Sequence, residues 1–166
     1  MSLALAIRQI QFARTYTSSL LEGIEDRDWF AMPPQLPTHL AWQVGHVAMA
    51  QYGLCLFRIR GRQEIDAELM SSSFRKLFSK GSTPDADASK YPPPAEIRGT
   101  FDRVYQQVMI ELPQVSEAAL SEPVDMPYVE GFPNKLGALL MCSHHEFLHA
   151  GQIGLIRRLL GKPPVR

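Results

Sequence analysis

Apolar residues recur in alternating steps of four and three along four stretches of this chain, the pattern of helices that each bury one face. The first stripe is Ala6, Ile10, Ala13, Thr17, Leu20 and Ile24. Ser2 precedes it with a side-chain oxygen suited to the orphan N–H groups of a first turn, so a helix is expected from there to about Gly23. Asp26 to Pro37 then carries three prolines, and Thr38 is expected to cap the next helix. That second helix is expected from about His39 to Arg60, with Trp42, His46, Met49, Gly53 and Leu56 on its seam. His46 is thereby placed toward the core, while His39, in the first turn, is expected to face water.

From Gly61 to Pro94 the periodicity weakens to one short helix expected at Glu64 to Leu77, followed by Gly81-Ser82-Thr83-Pro84 and Tyr91-Pro92-Pro93-Pro94. A connection this long is a crossover, which allows the third helix to lie parallel or diagonal to the second. The third helix opens with Pro94 in its first turn and shows Ile97, Phe101, Val104, Val108, Leu112 and Val115 on one face, with Pro113 disturbing its end. Ser121 to Pro133 is rich in proline, glycine and acidic residues. Asn134 can cap a fourth helix that continues to Leu160, where Gly161-Lys162-Pro163-Pro164 stops it. No strand is indicated. The expected fold is all-α, a single four-helix-bundle domain over residues 1–166 with a long crossover between helices two and three.

The composition narrows the partners. Lysine plus arginine and aspartate plus glutamate stand at 17 each, without a run of like charge, so no nucleic-acid or anionic-membrane footprint is present. The apolar runs are too short to cross a bilayer. The N-terminal segment is amphipathic, with Arg8 and Arg14 inside it, and does not read as a secretory leader. With two cysteines, Cys55 and Cys142, the expectation is a reducing, cytoplasmic location.

The fourth seam changes the picture. It reads Ala138, Cys142, His145, His149, Gln152, Ile156 and Leu159, polar in the middle where a bundle calls for leucine. Burying imidazoles costs free energy unless each finds a partner. His145 and His149 are four apart and stack on one helix face, and His46 supplies a third imidazole from the second helix. Bundles build metal sites from facing helices in this way, so the three histidines form a candidate site for one divalent transition metal. Three neutral ligands leave the ion its charge and an open position, the catalytic type of site.

His145-Glu146-Phe147-Leu148-His149 also matches the His-Glu-x-x-His pattern of zinc proteases, with Glu146 as general base. Beyond His149, however, the chain has no further histidine, aspartate, glutamate or cysteine, and no strand to hold an extended peptide. Glu146 and Gln152 remain candidate catalytic or supporting residues. Gln152 is expected to hydrogen-bond a ligand imidazole or a bound water, and Gln43 is a weaker candidate for the same role. Cys142 and the tyrosines Tyr52, Tyr105 and Tyr128 are read as packing, and His144 as lying off the ligand face. Gly45 and Gly53 interrupt the helix on either side of His46, which suggests close approach of another element or room for a ligand.

Leu40-Ala41-Trp42-Gln43-Val44-Gly45-His46, the His145-Glu146-x-x-His149-x-Gly151-Gln152 stretch and the Leu160-Gly161-Lys162-Pro163-Pro164 tail together resemble the DinB-like (damage-inducible) superfamily of small four-helix metalloproteins. The resemblance covers nearly the whole chain in helix order. It implies a metal on His46, His145 and His149, usually zinc, nickel or iron, and often a homodimer. Some members of that superfamily are thiol S-transferases using bacillithiol or mycothiol, or a thiol-dependent maleylpyruvate isomerase. Others form the iron-binding part of enzymes that make thiohistidines, where a glutamate follows soon after the second histidine. Here Ala150 and Gly151 occupy those places, which argues against the iron branch. The expected function is a thiol-dependent S-transferase reaction on a small-molecule substrate, with a low-molecular-weight thiol as co-reactant. A metal-water hydrolase, and a non-catalytic metal-stabilised stress or binding protein, are the alternatives.

Overall fold

The computed structural model describes residues 2–34, 36–125 and 130–165. Tyr128, read above as packing, lies outside them. Helix α1 (Leu3–Leu21) begins where Ser2 accepts a hydrogen bond from the Leu5 N–H. Helix α2 (Leu40–Tyr52) runs on through a π-helical turn (Gly53–Phe57) into a last helical stretch, Arg58–Arg60. The crossover holds two short helices, α3 (Asp66–Leu69) and α4 (Ser72–Leu77), where the sequence suggested one. Helix α5 (Pro94–Glu111) leads into a 3-10 turn at Leu112–Gln114, and α6 (Lys135–Leu159) is capped by Asn134. Among the described residues there is no named strand, only an isolated bridge between Pro123 and Asn134.

Side-chain contacts fix the directions. Arg60, at the end of α2, forms ion pairs with Asp66 (2.7 Å) and with Glu111 at the end of α5 (2.6 Å). At the other end, the Ala41 N–H donates to the Trp29 carbonyl, and the Arg98 guanidinium of α5 lies 4.4 Å from the Trp29 ring. Helices α2 and α5 are therefore parallel, which only a long crossover permits. Phe12 against Phe147, and Arg157 donating to the Leu20 carbonyl, make α1 and α6 parallel to each other. Gln43 meets His149 and His46 meets His145, so α2 and α6 are antiparallel.

Two expectations fail in α2. Its cap is His39, whose Nδ1 accepts from the Trp42 N–H at 3.1 Å, and Thr38 instead accepts from Gln43 Nε2 at 2.9 Å. His39 is fully buried, not solvent-facing, because the crossover lays Tyr91 against it and Phe30 closes its other side. Burial lowers its pKa to about 4. Helix α2 is buried almost all round, so its seam does not mark a single core face.

A third expectation fails in part in α6. Gln152 and Leu159 of the expected seam are exposed, and Ile153, off that seam, joins the seam residue Ile156 in the core. A seam stepping strictly by 3.5 drifts about 20° per heptad against a straight helix of 3.6 residues per turn. From Ala138 to Leu159 the drift reaches about 60°, enough to turn Gln152 and Leu159 off the buried face and bring Ile153 onto it.

Candidate metal centre

The side-chain nitrogens of His46, His145 and His149 lie within 4.8 Å of one another, and all three residues are buried. Their ring centroids are 4.5 to 5.2 Å apart. His144, next in sequence, is exposed.

Hydrogen bonds fix two of the rings. His46 Nδ1 lies 2.7 Å from the Phe78 carbonyl oxygen, which can only accept, so Nδ1 carries the proton and Nε2 presents a lone pair. His149 Nδ1 lies 2.5 Å from Gln43 Oε1, and the amide of Gln43 is oriented in turn by its bond to Thr38. Trp42 stacks on His46 with ring centroids 4.7 Å apart and planes 8° from parallel. Metal-ligating histidines are held in this way, the far nitrogen donating to a carbonyl or amide oxygen.

Electrostatics keep the cluster neutral. Burial, and then the neighbouring His46, lower the His145 pKa to about 4. Burial, then His145 and His46, lower that of His149 to about 3. Burial also lowers His46, against a smaller opposing effect of the Phe78 carbonyl. Near neutral pH three uncharged bases therefore crowd together, the protonation state a metal ligand requires. The donor set fits a divalent transition ion.

The glycines explain how the crossover reaches the site. A Cβ on Gly45 would come within 2.5 Å of the Phe78 ring, so only glycine lets that ring pack against α2 and bring its carbonyl to His46.

The family model of the DinB superfamily matches residues 9–153. The chain belongs to the DinB superfamily. A crystal structure of a conserved protein from Enterococcus faecalis matches at a TM-score of 0.74 and 17% identity, covering 98% of this chain and 99% of that one. At that identity the likeness shows a shared fold. No curated protein matches the chain.

Within this DinB-superfamily bundle the other candidate residues stand apart from the cluster. Glu146 is buried on the opposite side of α6, where its Oε1 accepts from Arg14 Nε at 2.9 Å. Arg14 also donates to the Phe101 carbonyl (2.8 Å) and to Gln51 Oε1 (2.7 Å), beneath the Phe101 ring. Gln152 lies at the surface, on the wall of a cavity of about 480 Å³ that it shares with Trp42, Gln43 and His149. The glutamine that bonds an imidazole of the cluster is thus Gln43, the weaker candidate of the two. The sequence reading missed Phe78, because a backbone carbonyl leaves no trace in residue type. Gly45 was its only signal. Arg14 was legible, being four residues after Ile10 and three before Thr17 on the first stripe.

A second cavity, of about 300 Å³, opens beside His46 and His145. It is walled by Met49, Ala50 and Leu54, with Arg58 and Lys80 also lining it.

Proposed function

We propose that His46, His145 and His149 hold one divalent transition metal, zinc, nickel or iron, and that the protein catalyses a thiol-dependent S-transferase reaction on a small molecule. The observation that carries this reading is the convergence of three neutral imidazoles, two of them fixed through Nδ1, beside a cavity of small-molecule size. A divalent ion there would supply the Lewis acidity that holds a low-molecular-weight thiol as its thiolate near neutral pH.

The chain's own residues bind and orient. The Phe78 carbonyl and the Gln43 amide hold two of the rings, Trp42 covers His46, and Met49, Ala50 and Leu54 form a wall that disfavours water. In the transfer itself the thiolate sulfur gives an electron pair to an electrophilic carbon of the acceptor. The C–S bond forms as the bond to a halide or similar leaving group breaks, the leaving group departs with the bonding pair, and the thiol proton goes to solvent.

The surroundings favour thiol transfer over hydrolysis. Activating water calls for a general base, but Glu146 is engaged by Arg14 and Gln152 carries no charge. Exposed Phe12 (66%), Leu148 (64%) and Leu159 (46%) leave an apolar stripe on α1 and α6 that suits a homodimer. Free Cys55 and Cys142 are in keeping with a reducing cytoplasm. No helix among the described residues is long and apolar enough to cross a membrane.

Elemental mass spectrometry of untagged protein, beside His46→Ala, His145→Ala and His149→Ala, tests the metal. About one ion per chain, lost in each variant, is the expected result. No ion, even after divalent metals are offered, would remove the proposal. Metal-dependent conjugation across a panel of thiols and halogenated acceptors then tests the reaction. Ester or amide hydrolysis without added thiol would replace it with the hydrolase.

A further inference from the structure

We infer that the cavity beside His46 and His145 takes a ligand with a carboxylate end, held by Arg58 and Lys80 while its other end reaches the histidine cluster. The inference rests on the metal-centre reading for that second end. The two cations are the only charged groups on a wall that is otherwise apolar or imidazole, and no aspartate or glutamate lines it among the described residues. An anion entering there meets two cationic side chains in a partly desolvated space.

Separate elements bring the cations to this wall. Arg58 follows the π-helical turn Gly53–Phe57, and both its backbone N–H and its Nη1 donate to the Gly53 carbonyl, the latter at 2.8 Å. Such a turn inserts one residue into the helix, which rotates the side chains that follow it. The side chain thereby folds back along α2 toward the histidines. Gly53 leaves the space it needs, since a Cβ there would lie 3.3 Å from Arg58 Nη1. Lys80 comes from the crossover, two residues beyond the Phe78 carbonyl that orients His46.

The spacing sets the ligand's length. Gly53 is one heptad beyond His46, roughly 10 Å along the axis at about 1.5 Å per residue. After the contact distances at each end are subtracted, the sulfur and the carboxylate are separated by roughly three or four bonds. A short mercapto acid fits that span, and so does an acceptor of similar size with an acidic end.

The test uses full-length protein loaded with cobalt(II), whose absorption reports sulfur binding. Titrations with 3-mercaptopropionate and with 3-mercapto-1-propanol compare a charged with an uncharged end. The acid is expected to bind about 10-fold or more tightly, the worth of one charge-assisted hydrogen bond. That preference should collapse toward unity in Lys80→Gln and in Arg58→Gln, with the alcohol's affinity unchanged. Lys80 is exposed, so Lys80→Gln keeps the test valid even if Arg58→Gln disturbs the π-helical turn. Equal affinities in the wild type, or a preference that survives Lys80→Gln and a folded Arg58→Gln, would overturn the inference. Absence of cobalt uptake would instead count against the metal centre. In that case the Arg58 Nε–Hε signal of the metal-free protein, followed by NMR, should still move with 3-mercaptopropionate and not with the alcohol. An unmoved signal would sink the carboxylate site by itself.

Discussion

His145 and Glu146 are adjacent in sequence and both buried, yet they belong to polar clusters of opposite kinds. On the Glu146 side a full positive charge meets a full negative one, and the Arg14 guanidinium also reaches the Phe101 carbonyl and the Gln51 amide. On the His145 side three neutral bases converge, two of them with the proton committed to the far nitrogen. The first cluster carries its own counter-charge, although Glu146 Oε2 and Gln51 Nε2 are buried without a partner, whereas the second brings together only neutral donors that could hold a metal ion. A buried polar group is therefore informative about function only once its partners are counted.

The largest effect should come from breaking the charge-paired cluster. Arg14→Met leaves Glu146 charged and unpaired in the core, and is expected to cost about 3–5 kcal/mol in chemical denaturation, with or without metal. A change near zero would mean that the ion pair is dispensable. The open cluster should respond the other way, by gaining stability. A divalent ion at about 100 times its dissociation constant should add about 2.7 kcal/mol to the wild type, a gain absent in His145→Ala. Equal gains in both proteins would place the ion elsewhere.

A smaller change should separate the support from the ligands. Gln43→Leu removes the acceptor of His149 Nδ1 and should weaken metal affinity about 10- to 100-fold while keeping one ion per chain at saturation. Unchanged affinity in a competition titration with a chelator would show that Gln43 only packs.

The smallest change expected for any one residue is in pH dependence. The folded-state pKa values of His145 and His149 lie below the ordinary value, so the unfolded chain binds more protons as the pH falls. Their contribution to the metal-free protein is fully present above about pH 6.5 and is lost as the pH drops toward about 4 and about 3, respectively. From about pH 7.5 to about pH 6 each should cost about 1 kcal/mol or less. Bound metal keeps the imidazoles proton-free at still lower pH, so at saturating metal the loss of stability should continue below about pH 3, where that of the metal-free protein levels off. Levelling off at the same pH with and without metal would detach the histidines from the ion.

The helices and the three histidines were legible because helical period and burial are properties of single segments. His46, His145 and His149 stood where leucine was called for, and no contact with another element was needed to notice it. What escaped reading depended on contacts between segments. His39 looked like a solvent-facing first-turn residue until Tyr91, from the far end of the crossover, covered it. Gln152 seemed to continue the seam, but helical drift turned it outward, and the supporting role fell to Gln43 on another helix. Arg58 was signalled only indirectly, by Gly53, because a π-helical turn follows from packing and not from residue type.

The Gly45–Phe78 contact has a dynamic consequence. One segment, outside the two helices that carry the histidines, holds both a packed ring and the carbonyl that orients His46. If it lifts from α2, core exposure and loss of that ring's orientation occur as one local opening with one free energy. Amide exchange of residues 74–78 and the rate of metal release should then follow the same opening equilibrium, so that the lifetime of the ion is governed by a segment that never touches it.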